Sequence, residues 1–549
     1  MTALPDVTVT VIVHDDAERL PRAVASVRAQ THRDIEIVIS DDHSTDATPH
    51  VAAQLAAQDD RIRVIRLERN SGGCGAPRNR ALDTARAPFL MFLDSDDELP
   101  PRAVELLLAA HTETDADFTM GAVERVRTDT GDVSPWMGHL FTRRRTVRGV
   151  ADEPRILFEP LSTNKMYRKE FLDRHALRFP EGLHYEDQLF SAQAYTLARA
   201  FTVITEPVYR WYIAPYAAAG AATISNRRHL LSNVRDRVTV ARLIDGFLAG
   251  QGVPAAVREE KDHKFLSHDL RLYAGDLPHR DPAWVAGFAA EVLPYLDTLA
   301  PAAVRRMRRA DRIVVGLLRE GRYEEARLAA RGLAHPVGPR ETVTDEDGRT
   351  YWGGTPPRTE AGRADLDLAE WDLAGCPFGA ARFRHEITRV ERAGDGALDL
   401  RLRTYDPGRR LPLAPLAARL HVAPGGRRLT VPLRMDPAGR GVFEGAVRLD
   451  LTAAALPAHG FRGVRHPVLE ITDGRTGACA TGVLLAPLDL APCELAGAGR
   501  HRVTAEPEGR DTGRLQLRWQ PGGLVGRLLG PVVQRGPVRR AAKALIRGR

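Results

Sequence analysis

From Val7 to about Pro215 short apolar runs alternate with helical segments, the pattern of an α/β sheet. VTVTVIV reads as a buried strand and AERLPRAVASVRAQ as a helix. IEIVIS is a second strand, with an Asp- and Ser-rich turn and a helix around ATPHVAAQLAAQ after it. IRVIRL is a third strand, leading through a glycine loop into a helix at PRNRALDTA, and FLMFL is a fourth. From about 226 to 335 the spacing is helical throughout, as in a small bundle. A connector over 336–365 follows. From 366 to 520 the period changes to two, in HEITRVERA, ALDLRLRTYD, GVFEGAVRLDL, VLEITD and RLQLRW. Turn signals such as DPGRR and PGGR separate these runs, which predicts an antiparallel β-sandwich, Ig-like in kind. The chain therefore divides into 1–225, 226–335, 336–365, 366–520 and a tail at 521–549.

Length agrees with this division, since 549 residues exceed what one core can organise. Hydrophobic content of 43% and charged content of 27% describe a globular chain. No apolar run of signal-peptide length opens it, and none is long enough to span a bilayer. Cys74, Cys376, Cys479 and Cys493 lack metal-type or redox spacing. They are expected to be reduced, each a small buried apolar residue, in a cytoplasmic protein. The net charge is +7, and the tail alone carries Arg527, Arg535, Arg539, Arg540, Lys543, Arg547 and Arg549 without an acid. The body is therefore near neutral, which argues against a nucleic-acid-binding surface.

Four stretches carry candidate chemistry. In ISDDHSTDATP, Asp41 and Asp42 follow a strand and precede a helix that Thr45 or Asp46 is placed to cap. Acceptor-only carboxylates there suit base N–H or ribose hydroxyl groups, or simply a capped turn. In NSGGCGAPRNRAL, Gly72, Gly73 and Gly75 let backbone approach a ligand, and Arg78 follows Pro77 at a helix N-terminus. The stretch matches neither the GK[ST] nor the GxGxxG phosphate loop. LDSDDE ends a strand on Asp94, Asp96, Asp97 and Glu98, and the D-x-D form supplies oxygen ligands for Mg²⁺ or Mn²⁺, the alternative being a solvated acidic edge, for Asp97 and Glu98 above all. In FPEGLHYEDQLFSAQAY, Glu186 and Asp187 open a helix. Acids there complement the macrodipole, or one of them is a general base.

In this order, strand–DDxSxD, strand–glycine loop–RN, strand–DSDD and a later ED, the chain resembles the family 2 glycosyltransferases of GT-A fold over residues 7 to about 225. The resemblance implies a Rossmann-like, mostly parallel sheet and an inverting transfer from a UDP-sugar, GlcNAc or a related hexose. It implies that Val11, Val13, Asp15, Asp42, Arg78, Asp94 and Ser95 hold the nucleotide sugar. Asp96 would hold the divalent metal, Mn²⁺ or Mg²⁺. Asp187 would be the base, with Glu186 beside it. Asn164 and Lys165 in STNKMYRKEFL, with Arg210, would face the acceptor, structural roles for Asn164 and Lys165 being the alternative. Two departures stand out. His14-Asp15 replaces the usual Tyr-Asn, and QxxRW is missing, which favours non-processive transfer.

The layout of transferase, helical segment and β-sandwich is similar to enzymes that glycosylate wall teichoic acid. That likeness implies a polymeric or lipid-linked envelope acceptor, such as a polyol-phosphate, and homo-oligomers assembled through the C-terminal β-module. In the tail, Leu524, Val525, Leu528 and Leu529 give an apolar side. With the cations this suits an anionic membrane surface, or a solvated basic extension, and so a peripheral location on the inner face of the plasma membrane. A GT-A scaffold without catalysis, serving envelope binding or assembly, is the competing reading.

Overall fold

Seven consecutive apolar or β-branched residues, Val7–Val13, form β1 and are buried along its whole length. A strand buried on both faces belongs inside a parallel sheet covered by helices. The first helix, α1 (Leu20–Arg28), lays Leu20, Ala23, Val24 and Val27 on that sheet, the i, i+3, i+4, i+7 stripe of an amphipathic helix. The computed structural model describes residues 4–129, 131–213, 227–335, 337–393, 396–423, 429–451, 463–495, 501–507 and 513–521. They fall into two compact units, Met1–Asp269 with Pro294–Arg306, and Leu270–Leu293 with Met307–Arg549.

In the first unit the chain continues through β2 (Ile35–Asp41), α2 (Thr48–Gln58), β3 (Ile62–Arg66), α3 (Gly75–Thr84), β4 (Phe89–Asp94) and α4 (Ala103–Thr114). Up to β4 these are the strands and helices expected from the pattern. Then come β5 (Phe118–Arg127), β6 (Val133–Trp136), β7 (Arg145–Val147), β8 (Lys165–Arg168), α5 (Lys169–Arg174), α6 (Glu186–Leu197) and β9 (Phe201–Ile213). The sheet order is β3-β2-β1-β4-β8-β5-β9-β7, with β6 added on β5. The strands pair in parallel from β3 to β4, while β8 runs antiparallel to both β4 and β5. Register places Val13 beside Asp41 and Ile12 beside Asp94. Three strand ends therefore finish at one level, the edge where open α/β sheets bind ligands.

Two further helices, α7 (Leu231–Gly250) and α8 (Ala255–Lys264), contribute Val240, Ile244, Leu248 and Val257 to the same core as Phe92, Phe118 and Phe190. A π-helical turn, Phe265–Asp269, continues α8. The helical stretch expected at 226–335 is thus divided: its residues through 269, and 294–306, belong with the sheet, and the remainder with the second unit.

The later helices are α9 (Leu270–Ala274), α10 (Pro282–Leu296), α11 (Pro301–Arg305), α12 (Arg309–Arg319) and α13 (Tyr323–Ala330). The expected connector is ordered, as a hairpin of β10 (Thr342–Thr344) and β11 (Thr350–Trp352) and a helix α14 (Glu360–Leu366). Thr359 caps α14 by accepting from the Gly362 N–H. Beyond it, β12 (Arg384–Arg392), β13 (Ala397–Tyr405), β14 (Leu416–Val422), β15 (Leu429–Gly439) and β16 (Val442–Asp450) pair antiparallel. With β18 (Val468–Thr472) and β19 (Cys479–Leu485) the chain closes a barrel, β12-β13-β16-β15-β14-β18-β19, from which the intervening β17 (Gly463–Arg465) is excluded. The closing pair, β12 with β19, is parallel. A four-stranded sheet of β17, β20 (Cys493–Leu495), β21 (His501–Pro507) and β22 (Leu515–Pro521) completes the unit. The antiparallel β-module matches expectation; its larger sheet closes through seven strands, beside the four-stranded one. All four cysteines are unpaired, but none is fully buried and Cys479 is exposed, contrary to the expectation of four buried thiols. The basic tail lies outside the described residues, and no described helix is long and apolar enough to cross a membrane.

Candidate functional site

A cavity of about 500 Å³ opens at the shared level of the β1, β2 and β4 ends, a size that suits a nucleotide sugar. Val13, Asp42, Arg78, Asp94, Ser95, Asp96, Glu186 and Asp187 all line it. Val13 and Glu186, 173 positions apart in sequence, both line it: Val13 ends β1 and Glu186 opens α6.

Each acid of LDSDDE has a different partner. Asp94 Oδ1 accepts from Arg78 Nη2 at 2.8 Å. Asp96 meets Arg19 Nη1 at 3.3 Å, and burial and the neighbouring Asp94 charge push its carboxyl up to about 6. Asp97 is buried; its Oδ2 accepts from the Tyr209 hydroxyl at 2.6 Å and its Oδ1 from the Tyr212 N–H at 2.7 Å. Glu98 pairs with Arg22 at 3.1 Å and bridges the Arg210 backbone. Asp97 and Glu98 are therefore anchors between β4 and β9 rather than a solvated edge. Ser95 donates to Asp16 Oδ2 at 2.6 Å.

Arg78 is the central cation. It stands one turn into α3, almost fully buried, with Nη1 on Glu186 Oε1 at 2.5 Å and Nη2 on Asp94. Burial lifts the Glu186 carboxyl up to about 7, against the pull of Arg78. Asp187 is half-buried, faces the cavity, and takes no hydrogen bond or ion pair among the described residues. Burial raises its carboxyl pKa above the usual carboxylate range; Arg78 and Arg237 oppose the shift. Of the two acids opening α6, Glu186 is committed to Arg78 and Asp187 is available to a ligand.

Asp42 accepts from the Ser71 N–H at 3.0 Å and the Ser71 hydroxyl at 2.9 Å, so the glycine loop is tied to β2. His14, where the resemblance leads one to expect Tyr, contacts the Asp42 carbonyl through Nδ1 at 3.0 Å. The loop glycines serve two purposes. Gly72 holds φ +77°, and a Cβ on Gly75 would sit 2.3 Å from the Pro180 carbonyl oxygen. Close approach at Gly75 is thus to the loop before α6 rather than to a ligand.

Several expected residues stand apart from the cavity. Val11 is a core residue of the β1 cluster. Asp15 turns toward the β2–α2 loop, its Oδ1 accepting from the Thr45 N–H at 2.7 Å, and that bond holds its carboxyl below the usual range. Thr45 therefore caps nothing; α2 has Ala47 at its N-cap, and Asp46 accepts from the Thr48 N–H at 2.8 Å. Lys165 opens β8 and Asn164 precedes it, both fully buried: Asn164 donates to the Gly121 carbonyl at 2.8 Å, and Lys165 to Asn164 Oδ1 at 2.9 Å. Arg210 pairs with Glu124 at 3.0 Å. Their neighbours Leu161, Thr163, Tyr209, Trp211 and Tyr212 line the cavity instead. Sequence reasoning missed Arg19, Ser71 and Tyr209. Tyr209 had one signal, an aromatic with a polar tip next to the Arg210-Trp211-Tyr212 run at a strand end.

A doubly wound sheet with an acidic edge at β4 and an acid pair opening α6 defines a GT-A domain. Residues 8–176 match the model for Glycosyl transferase family 2. It is 34% identical over 222 residues to EpsH of Bacillus subtilis (strain 168), covering 38% of this chain and 61% of that protein. It is 30% identical over 215 residues to the poly(ribitol-phosphate) beta-N-acetylglucosaminyltransferase TarP of Staphylococcus aureus (strain N315), covering 38% and 62%. The chain thus spans about three-fifths of the length of these curated relatives. In fold it is similar to the crystal structure of S. aureus TarS, with a TM-score of 0.51 at 18% identity, covering 95% of this chain and 86% of that one.

Asp96 and its surroundings fit a hard divalent ion. The donors are carboxylate oxygens, and burial beside Asp94 leaves Asp96 short of positive charge. Among the described residues no cluster of three or more protein ligands is assembled. Mg²⁺ and Mn²⁺ are commonly held by one or two carboxylates and substrate phosphates, which is the arrangement Asp96 can support.

Proposed function

We propose that this chain is an inverting glycosyltransferase that moves a hexose, GlcNAc first among candidates, from a UDP-sugar to a hydroxyl of a polyol-phosphate envelope polymer. The observation that carries the reading is one cavity lined by Asp42, Asp94, Asp96 and Asp187, the last without a hydrogen bond or ion pair among the described residues. The name of the relative TarP supports the acceptor class.

In this reading Asp42 and Asp94 orient the nucleoside, with Arg78 keeping the Asp94 carboxylate in place. A divalent ion on Asp96 would supply charge for the diphosphate leaving group. Asp187 accepts the proton of the acceptor hydroxyl. The acceptor oxygen forms its bond to the anomeric carbon from the face opposite the nucleotide, the carbon–oxygen bond to UDP breaks, and the configuration inverts. Glu186, held by Arg78, fixes the start of α6 so that Asp187 faces the cavity.

The reading extends to assembly of copies through the C-terminal barrel and to contact of the basic tail with anionic lipid at the inner face of the plasma membrane. Liposome co-sedimentation that is unchanged by deleting 523–549 would remove the membrane part. The main test is UDP release from UDP-GlcNAc and UDP-glucose with Mn²⁺ or Mg²⁺ and a poly(ribitol-phosphate) acceptor. Asp187→Asn is expected to lower kcat by about 10²–10⁴-fold with donor KM little changed. Release that survives the substitution would sink the base assignment, and no release with any donor would favour a non-catalytic scaffold.

A further inference from the structure

The residues on either side of the Glu186–Asp187 pair are both held from behind. Tyr185, in left-handed conformation at φ 68°, presents its ring to Arg237 of α7, whose guanidinium carbon lies 3.5 Å from the ring centroid. Gln188, on the other side, accepts from Lys264 of α8 through Oε1 at 2.5 Å. Both cations converge on one carboxylate. Asp269 takes Arg237 Nη1 on Oδ1 at 2.8 Å and Lys264 Nζ on Oδ2 at 2.7 Å. Arg237, Lys264 and Asp269 are each less than a tenth exposed.

Local backbone explains how Lys264 and Asp269, five positions apart, reach one another. In an α-helix such residues point away from each other by more than a quarter turn. The π turn at Phe265–Asp269 changes the phase and brings the carboxylate under Lys264. Single π turns inside helices recur at functional sites. Helix α8 also buries Lys261 against Tyr295 at 2.9 Å, so the element is pinned at a second point.

We propose that the buried Arg237–Asp269–Lys264 triad is the positioning element of Asp187, making α7, α8 and the π turn a working part of the transferase site. The proposal rests on the assignment of Asp187 as base, and deepens it. The triad grips positions 185 and 188, so Asp187, with Glu186 between them, cannot turn away from the cavity without disturbing a contact of Arg237 or Lys264. It also sets the field at Asp187. The charged groups facing that carboxylate are Arg78 from α3, Asp94 from β4, Arg237 from α7 and Lys264 from α8, with the buried Lys165 and Glu159 behind. Glu186 lies beside it in sequence.

Two substitutions separate a positioning role from plain scaffolding, because they change the local charge in opposite directions. Lys264→Met removes a cation and leaves Asp269 paired with Arg237. Asp269→Asn removes an anion in an equal volume. The Asp187 carboxyl is followed in the full chain by ¹³C NMR of carboxyl-labelled aspartate, its signal identified by difference from Asp187→Asn. The midpoint of its titration is expected to rise in Lys264→Met and to fall in Asp269→Asn. With UDP-GlcNAc as donor, kcat is expected to drop on the order of 10- to 100-fold in both, with donor KM nearly constant. Lys264→Arg is expected to restore much of the loss. Titration midpoints that stay put, or that move the same way in both variants, would overturn the proposal. If Lys264→Met does not fold, Lys264→Gln serves the same comparison. The titration needs no turnover, so a wild type that releases no UDP would refute the proposed function while the positioning proposal is still decided by the NMR result.

Discussion

Replacing Arg78 by methionine removes the one cation that two acids of the site share. Its guanidinium is about 5% exposed, Glu186 about 6%, and Asp94 32%. Truncating one partner of a buried ion pair typically costs about 3–5 kcal/mol, because the other charge is left without compensation. Asp94 can turn to solvent, so the cost falls mainly on Glu186. A loss of that size corresponds to a drop on the order of 10 °C in the melting temperature of a unit this large. The pH dependence follows from the sign of the Glu186 shift. Its folded-state pKa is already raised, to about 7 from an ordinary value of 4.5, so the folded state binds more protons than the unfolded one. The stability Glu186 contributes is full below the unfolded value and is lost as pH rises through the folded one. Without Arg78 the carboxyl rises further, so Arg78→Met should be mild at pH 5 and severe at pH 8. The double variant Arg78→Met/Glu186→Gln should recover most of the loss at pH 8, since no buried charge is then stranded. Thermal melts of the four proteins at both pH values form the cycle. Equal losses at pH 5 and 8, or additive single effects, would refute the argument.

Gly75→Ala should destabilise by roughly 1–3 kcal/mol in thermal melts, as overpacking does, because its Cβ would sit 2.3 Å from a backbone carbonyl oxygen. Gly72→Ala meets no neighbour and costs only its left-handed φ, on the order of 1 kcal/mol; a larger effect at Gly72 than at Gly75 would reverse the assignment. Burial lowers both His111 and His385 to about 4 from 6.5, so each folds neutral and binds fewer protons than when unfolded. Their stability is full above about pH 6.5 and lost as pH falls toward 4, up to about 3 kcal/mol each. His385→Gln should therefore flatten the acid limb of a melting-temperature profile, and an unchanged limb would refute it.

The parts legible in the sequence were those written locally. Val7–Val13, Ile35–Asp41 and Phe89–Asp94 are largely apolar runs, and the last two end on Asp41 and Asp94. Because β2, β1 and β4 are adjacent and parallel, those ends had to meet. What stayed hidden was partnership at long range. Asn164 and Lys165 look like polar residues for an acceptor, yet β8 is inserted between β4 and β5 and both side chains are consumed satisfying backbone carbonyls and each other. Buried polar groups must be satisfied, and a strand flanked on both sides leaves few free to serve a ligand. The parallel β12–β19 closure was hidden for the same reason, since a period of two says which face is buried and not which strand is the neighbour.

The run LDSDDE makes the point at single-residue scale. Four acids in five positions are equivalent to any local rule, and repulsion among them reads the same whichever is the ligand. The fold distinguishes them by what arrives from elsewhere: Arg78 from α3 at Asp94, Arg19 at Asp96, Tyr209 from β9 at Asp97 and Arg22 at Glu98. Asp97 is the most deeply buried of these acids and is raised well above its ordinary range by burial and by Asp96. Its two hydrogen bonds to β9 make it the hinge pin between the acidic loop and the strand that carries Trp211 and Tyr212 into the cavity. Asp96 keeps a carboxylate oriented to the cavity with a single 3.3 Å ion pair to Arg19, a contact long enough to yield to a harder cation. The division of labour follows from which partners are strong and buried and which are weak and half-exposed, and that is a property of the folded edge rather than of the run itself.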